Sequence, residues 1–211
     1  MVELIKEKSL KQGIQKTLER AENLQSSVLF SHSFRFEVRD LLPILTHPTD
    51  KNTIRVYWEQ PSRGFSLAGL GSILEYKQSE KDNIHQINEQ IKNTMKKGVS
   101  ISDNSLIGPR ILGGYAFNQY EGSDSTWNRF PRIQFLLPEC LGTSTDDGSW
   151  LTISRMVKPN EKVDSVMDEF NRTKTFYENR LPVTLPPISR VAVDKFKDVP
   201  DQSTYAQTIF S

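Results

Sequence analysis

The chain has 211 residues, with 27 basic and 26 acidic side chains mixed along it for a formal net charge of +1, 36% hydrophobic and 25% charged residues, and a single cysteine, Cys140. That is enough for one large or two small globular units with a sizeable core, or for a chain that completes its core with another segment. It excludes an internal disulfide, and it offers no basic face for nucleic acid. No apolar run is long enough for a helical membrane span, and residues 1–12 lack the apolar region of a secretion signal, so the expectation is a cytoplasmic chain without a membrane or nucleic-acid partner.

Ser9 and Gln12 have the spacing of a capping box, and Leu10, Ile14, Leu18, Ala21 and Leu24 follow at helical intervals, predicting an amphipathic helix over 10–25. Val28, Phe30, His32, Phe34, Phe36 and Val38 then alternate with mostly polar residues, the pattern of a strand. Residues 40–52, with Pro43 and Pro48, read as a connection or a short helical turn. Ile54, Val56 and Trp58 mark the next strand, and the residues from Pro61 to Gly64 supply turn chemistry. The run 65–73 has apolar residues on both faces and is expected to be one central strand, and the hairpin 54–73 as a whole is expected to be the element around which the rest is arranged.

Beyond residue 78, Ile84, Ile87, Ile91 and Met95 share one face of a second helix, ended by Lys96, Lys97 and a left-handed Gly98. Residues 111–117, 133–137 and 150–157 are short and strand-like, with a tight turn at Asp146-Asp147-Gly148. Asn160 is placed to cap a helix whose buried stripe is Val163, Val166, Met167, Phe170 and Tyr177. Residues 181–200 hold four prolines and no period, which reads as an extended loop. Asp201 or Ser203 starts a last helix with Tyr205, Ile209 and Phe210, barely two turns long, and the expectation is the front part of something longer. Strands and helices without regular alternation give an α+β fold with a largely antiparallel sheet.

Chemistry is sparse. His32, His47 and His85 fall in a strand, a loop and a helix without a second ligand at metal-binding spacing, so structural or surface roles are expected. Cys140 follows the strand-ending Pro138 and has no cationic neighbour in sequence to activate it. Gly69 and Gly71 form a G-x-G without a third glycine or a following helix, and Gly108, Gly113 and Gly114 lack the Lys-Ser or Lys-Thr of a phosphate loop; close packing is the better account of both sets. The acids Glu37, Glu59, Glu75, Glu121, Asp146 and Asp147 are scattered, with no catalytic pair.

Four stretches carry a family resemblance. They are Tyr57-Trp58-Glu59-Gln60-Pro61-Ser62-Arg63-Gly64-Phe65 with Ala68-Gly69-Leu70-Gly71; Gly108-Pro109-Arg110-Ile111-Leu112-Gly113-Gly114-Tyr115-Ala116-Phe117; Trp127-Asn128-Arg129-Phe130-Pro131 with Phe135, Leu137 and Pro138; and Ser203-Thr204-Tyr205-Ala206-Gln207-Thr208-Ile209. In this order and spacing they resemble the amino-terminal half of the chorismate-binding enzymes, and among these most the isochorismate synthases of the menaquinone and phylloquinone pathways. The resemblance implies an α+β fold of two facing, largely antiparallel sheets with flanking helices, incomplete at the C-terminus. Residues 1–200 would be the framework half, and residues 201–211 the truncated start of the first helix of the catalytic half.

The activity it implies is Mg²⁺-dependent isomerisation of chorismate, in which water adds at one ring carbon while a hydroxyl leaves another. A lysine base, a glutamate acid and Mg²⁺-holding glutamates all belong to the part downstream. No catalytic, cofactor-binding or metal-ligating residue is therefore assigned here. Mg²⁺ is expected for the full-length enzyme and not for this chain alone, which would be inactive without a catalytic half, in the same or a separate chain. The rival readings are the front half of a salicylate or anthranilate synthase, and a non-catalytic scaffold or binding protein.

Overall fold

The computed structural model describes residues 2–37, 40–46, 53–77, 84–116 and 131–179, with side chains from Lys8 onward. His47, Glu121, the Trp127 to Phe130 part of the third motif, the proline-rich segment 181–200 and the expected last helix lie outside the described residues. Among the described residues, four α-helices and nine strands follow in the order α1 (Val2–Leu24), β1 (Val28–Phe36), α2 (Leu42–Leu45), β2 (Arg55–Gln60), β3 (Phe65–Leu70), β4 (Leu74–Lys77), α3 (Ile84–Lys97), β5 (Val99–Ile101), β6 (Leu112–Tyr115), β7 (Ile133–Leu137), β8 (Cys140–Thr145), β9 (Gly148–Val157) and α4 (Val163–Glu178). They form a six-stranded sheet of order β2-β3-β8-β9-β1-β5 and a three-stranded sheet of order β4-β7-β6. Every pairing is antiparallel except β1 with β5, so the α+β, largely antiparallel expectation holds.

Helix α1 begins well before Ser9, so Ser9 and Gln12 lie inside it and do not cap it. Its far end is a Schellman turn: Gln25 takes a left-handed φ of 48°, Gln25 N–H donates to Glu22 O, and Ser26 N–H donates to Ala21 O. Leu10, Ile14, Leu18 and Ala21 are buried, as their spacing predicts. With Val166, Phe170 and Tyr177 of α4, and with Leu41 and Ile44 around α2, they cover one face of the large sheet, which presents Phe30, Phe34, Ala68, Leu70, Cys140, Leu151 and Ile153. This is the main core.

The other face of the large sheet carries hydroxyls and is buried too. Ser31 Oγ lies 2.9 Å from Ser154 Oγ and Ser33 Oγ 2.8 Å from Thr152 Oγ1, across the β1–β9 pairing. Residues 102–111 return from β5 over this face: Trp150 Nε1–H donates to Asp103 Oδ1 at 3.2 Å, and Ile107 is buried.

Two pairs of consecutive strands link the sheets. β3 and β4 are consecutive, as are β7 and β8; β3 pairs with β8 in the large sheet and β4 with β7 in the small one. The expected single strand over 65–73 is therefore corrected: it ends at Leu70, Gly71 turns the chain at a φ of +70°, and Ile73 N–H donates to Leu137 O as the second sheet begins. A bend of this kind lets one strand pass from sheet to sheet. Gly69 is packed so closely that an added Cβ would sit 2.9 Å from Pro138 Cγ. The β2–β3 hairpin is not the organising element either, since β2 is an edge strand and the central pair is β8 and β9.

Two further expectations are corrected. Gly98 is not left-handed; the carbonyls of Lys97 and Gly98 at the end of α3 accept hydrogen bonds from Arg20 Nη1, at 3.0 and 2.9 Å. Asn160 has a left-handed φ of 67°, and Lys162, not Asn160, precedes the first turn of α4.

Candidate functional site

The first two resemblance motifs meet in space. The inner faces of β2 and β3 present Val56, Trp58, Phe65 and Leu67, and the end of the crossing loop brings Arg110, Ile111, Leu112 and Gly113 opposite them. Between them lies a cleft of about 680 Å³. Alternation sets this side of the hairpin: Trp58 pairs with Leu67 and Val56 with Gly69, so their side chains share a face, whereas Tyr57 and Glu59 point to the other one. There Tyr57 Oη–H donates to Glu59 Oε2 at 3.1 Å, and burial, with the nearby Glu59 carboxylate, pushes the Tyr57 phenol above its ordinary value.

Within the cleft the Trp58 and Phe65 rings are edge to face, with centroids 5.6 Å apart. The Arg110 guanidinium carbon lies 5.8 Å from the centre of the Phe65 ring, and Arg110 Nη2–H donates to Leu106 O at 2.8 Å. Gly113 has a φ of +152°, and an added Cβ there would collide with the backbone of Gln134 and Phe135, so close approach to β7 requires glycine. Packing therefore accounts for Gly113 as the sequence suggested. It does not account for Gly114, which has open space where a side chain would start.

The other residues weighed in the sequence stay apart from this cleft. His32 sits half-buried in β1 with its ring 5.7 Å from Phe170 and 5.9 Å from Phe34, at the border of the core, and His85 is exposed on α3. Cys140 is fully buried, and burial pushes its thiol well above the ordinary value, with the Glu139 carboxylate adding to the shift; it is not an activated nucleophile. Glu139 stands at the corner between the sheets, where it accepts a long 3.4 Å hydrogen bond from Tyr177 Oη–H. Burial raises its carboxyl above the ordinary range, the hydrogen bond opposes this, and Glu169 adds to the rise. Sequence reasoning passed over Glu139; its only signal there is an acid next to a strand-ending proline.

Among the described residues no group of three or more His, Cys, Asp or Glu side chains is close enough to hold a metal ion. No described helix is long and apolar enough to cross a membrane.

Known proteins match over most of this frame. The family described as "Chorismate binding enzyme" matches residues 15–210. The chain belongs to this family of chorismate-binding enzymes. A curated relative, the isochorismate synthase MenF of Bacillus subtilis strain 168, is 25% identical over 170 residues, which is 77% of this chain and 36% of the relative. The chain thus spans about a third of the length of that relative. The two-sheet arrangement with flanking helices agrees with the fold expected from the resemblance.

Proposed function

We propose that this chain is the amino-terminal framework part of an isochorismate synthase, which converts chorismate to isochorismate in quinone biosynthesis only together with further polypeptide. The family match supports a chorismate-utilising role, and the similarity to MenF favours isochorismate as the product. The observation that carries the proposal is the content of the cleft: its one charged side chain is Arg110, which stays protonated at any working pH. General acid and base catalysis needs groups that can give and take a proton near neutrality, and besides Arg110 the described lining holds one titratable residue, Tyr57, whose phenol is pushed above its ordinary value. In this reading the Mg²⁺ ligands and the proton-transfer pair belong to a catalytic half, in the same chain or a separate one, and the reaction takes place in the cytoplasm.

The test is to mix the purified chain with chorismate and Mg²⁺ and to follow isochorismate. No turnover is expected from the chain alone, and robust turnover would overturn the proposal. A stand-alone scaffold is the alternative from another class. It predicts a monomer at every concentration, whereas the framework reading predicts self-association through exposed apolar side chains such as Trp58 and Leu106, read by size exclusion.

A further inference from the structure

We infer that β2 is a self-pairing edge: two copies of this chain join antiparallel along Arg55–Gln60, about a two-fold axis at Tyr57, into one continuous sheet. This goes beyond the proposed function, because it concerns contact between copies and is read without chorismate.

The edge is open and long enough to act as a template. β2 is the end strand of the large sheet, and no described strand pairs with its outer side. It has six residues, whereas β5 at the other end has three and the outer strands of the small sheet, β4 and β6, have four each. Lysines, prolines, bulges and short length are the usual protections of an edge, and Arg55–Gln60 has none of them. The hairpin also fixes which backbone groups face outward. Gly71 N–H donates to Ile54 O, so Ile54 and Gly71 form a hydrogen-bonded pair of the β2–β3 ladder. Such pairs alternate with pairs whose groups point away, so Arg55, Tyr57 and Glu59 turn their N–H and C=O groups to the outer side. A second copy meets all of them only when Tyr57 lies opposite the partner's Tyr57, which sets Arg55 opposite the partner's Glu59 and Glu59 opposite the partner's Arg55.

The side chains fit this register on both faces. Arg55 and Glu59 are exposed and stand at equal distance from Tyr57 with opposite sign, so the strand is its own charge complement and no like charges are opposed. Both are positioned before pairing: the Arg55 guanidinium donates to Leu45 O at 2.8 Å and to Thr53 O at 3.1 Å, and one Glu59 oxygen accepts from Tyr57 Oη–H. A carboxylate has acceptor sites to spare for a cation from across the strand. On the cleft face, Trp58, which is 48% exposed, meets the partner's Val56, an aromatic and β-branched pair that covers an indole the single chain leaves open. Backbone bonds supply the adhesion and the side chains the register, as in strand addition generally. The contact uses the same edge on both copies, so it closes at the dimer.

Exchanging the charges tests the pairing. Sedimentation velocity on the whole chain should show a monomer–dimer equilibrium. Arg55→Glu and Glu59→Arg each oppose like charges at both ends of the paired strands and should weaken the dimer by about tenfold or more, and the double variant should restore it. Tyr57→Pro removes an outward N–H that β3 does not use and should leave only monomer. Under mild oxidation Tyr57→Cys should give a disulfide dimer, because residues in a hydrogen-bonded pair have Cα atoms about 5.5 Å apart. Glu59→Cys, out of step with its own copy by roughly 13 Å along the strand, should not. Cys140 is fully buried and does not compete. If Arg55→Glu fails to fold by circular dichroism, the two cysteine variants still decide. A monomer at every concentration, a double variant no better than the single ones, or equal cross-linking of the two cysteine variants overturns the inference. Association that ignores the charge changes sinks this pairing and leaves the framework reading standing.

Discussion

Phe170 and Trp58 make almost the same ring contact in two different settings. Phe170 packs edge to face on Phe30, with centroids 5.7 Å apart at 67°, and Trp58 packs on Phe65 at 5.6 Å and 67°. Phe170 is 1% exposed, closed in by α1 and the sheet, whereas Trp58 is 48% exposed on the edge strand β2. The pair geometry is equal and the enclosure is not. Enclosure therefore separates a side chain that holds the fold from one that is available to a partner.

The largest expected effect breaks this comparison at its closed end. Phe170→Ala should cost about 3–5 kcal/mol in urea unfolding, because it leaves a cavity under α4 that the β-sheet cannot collapse into. Trp58→Ala should cost about 1 kcal/mol, the value of one edge-to-face pair with little burial. Similar losses for the two would mean that the open side is covered as thoroughly as the core.

Much of the closed side was legible because helical spacing forces residues onto one face. Leu10, Ile14 and Leu18 on α1 and Val166, Phe170 and Tyr177 on α4 are buried as the periods predict. The alternation of β1 revealed the strand but not its environment. Ser31 and Ser33 look like a wet face, yet they are buried because Ser154 and Thr152 satisfy them from the neighbouring strand, and cross-strand partners cannot be read from one strand's sequence.

β8 escaped notice for a related reason. Cys140, Gly142, Thr143 and Ser144 show no apolar period, and Gly142 leaves room for Leu41 and Ile44 to press directly on the sheet. The cleft was half legible: the two motifs that line it were singled out by resemblance, while their convergence depends on the loop that crosses the sheet and ends at Arg110.

The hydroxyl pairs sharpen the comparison at an intermediate scale. Ser31→Ala should cost about 1–3 kcal/mol, because the buried Ser154 Oγ would be left without its partner. Replacing both with Ala removes the unmet group together with its mate, so the double variant should be no worse than either single one. Strict additivity in the double-mutant cycle would show that the hydroxyls do not act as a pair.

The smallest effect is a pH dependence at the corner where the two sheets join. Glu139 is flanked there by Gly71 of the turn, by Tyr177 and Glu169 of α4, and by the Cys140 thiol next in sequence. Burial is the main cause of its raised carboxyl value, so the folded protein holds that proton to a higher pH than the unfolded chain does. Where the folded state binds more protons, stability falls as pH rises. The contribution of this carboxyl is therefore full below its unfolded value and is lost as pH climbs through the folded one.

Glu139→Gln keeps the shape and an acceptor for Tyr177 Oη–H but cannot ionise. Its melting temperature relative to the parent should be level at about pH 4 and should shift in favour of the variant towards about pH 8, with the change concentrated just above the ordinary carboxylate range. A difference that stays flat across that window would mean that the corner is open to water in solution and that the strands passing through it are less tightly covered than the core beside them.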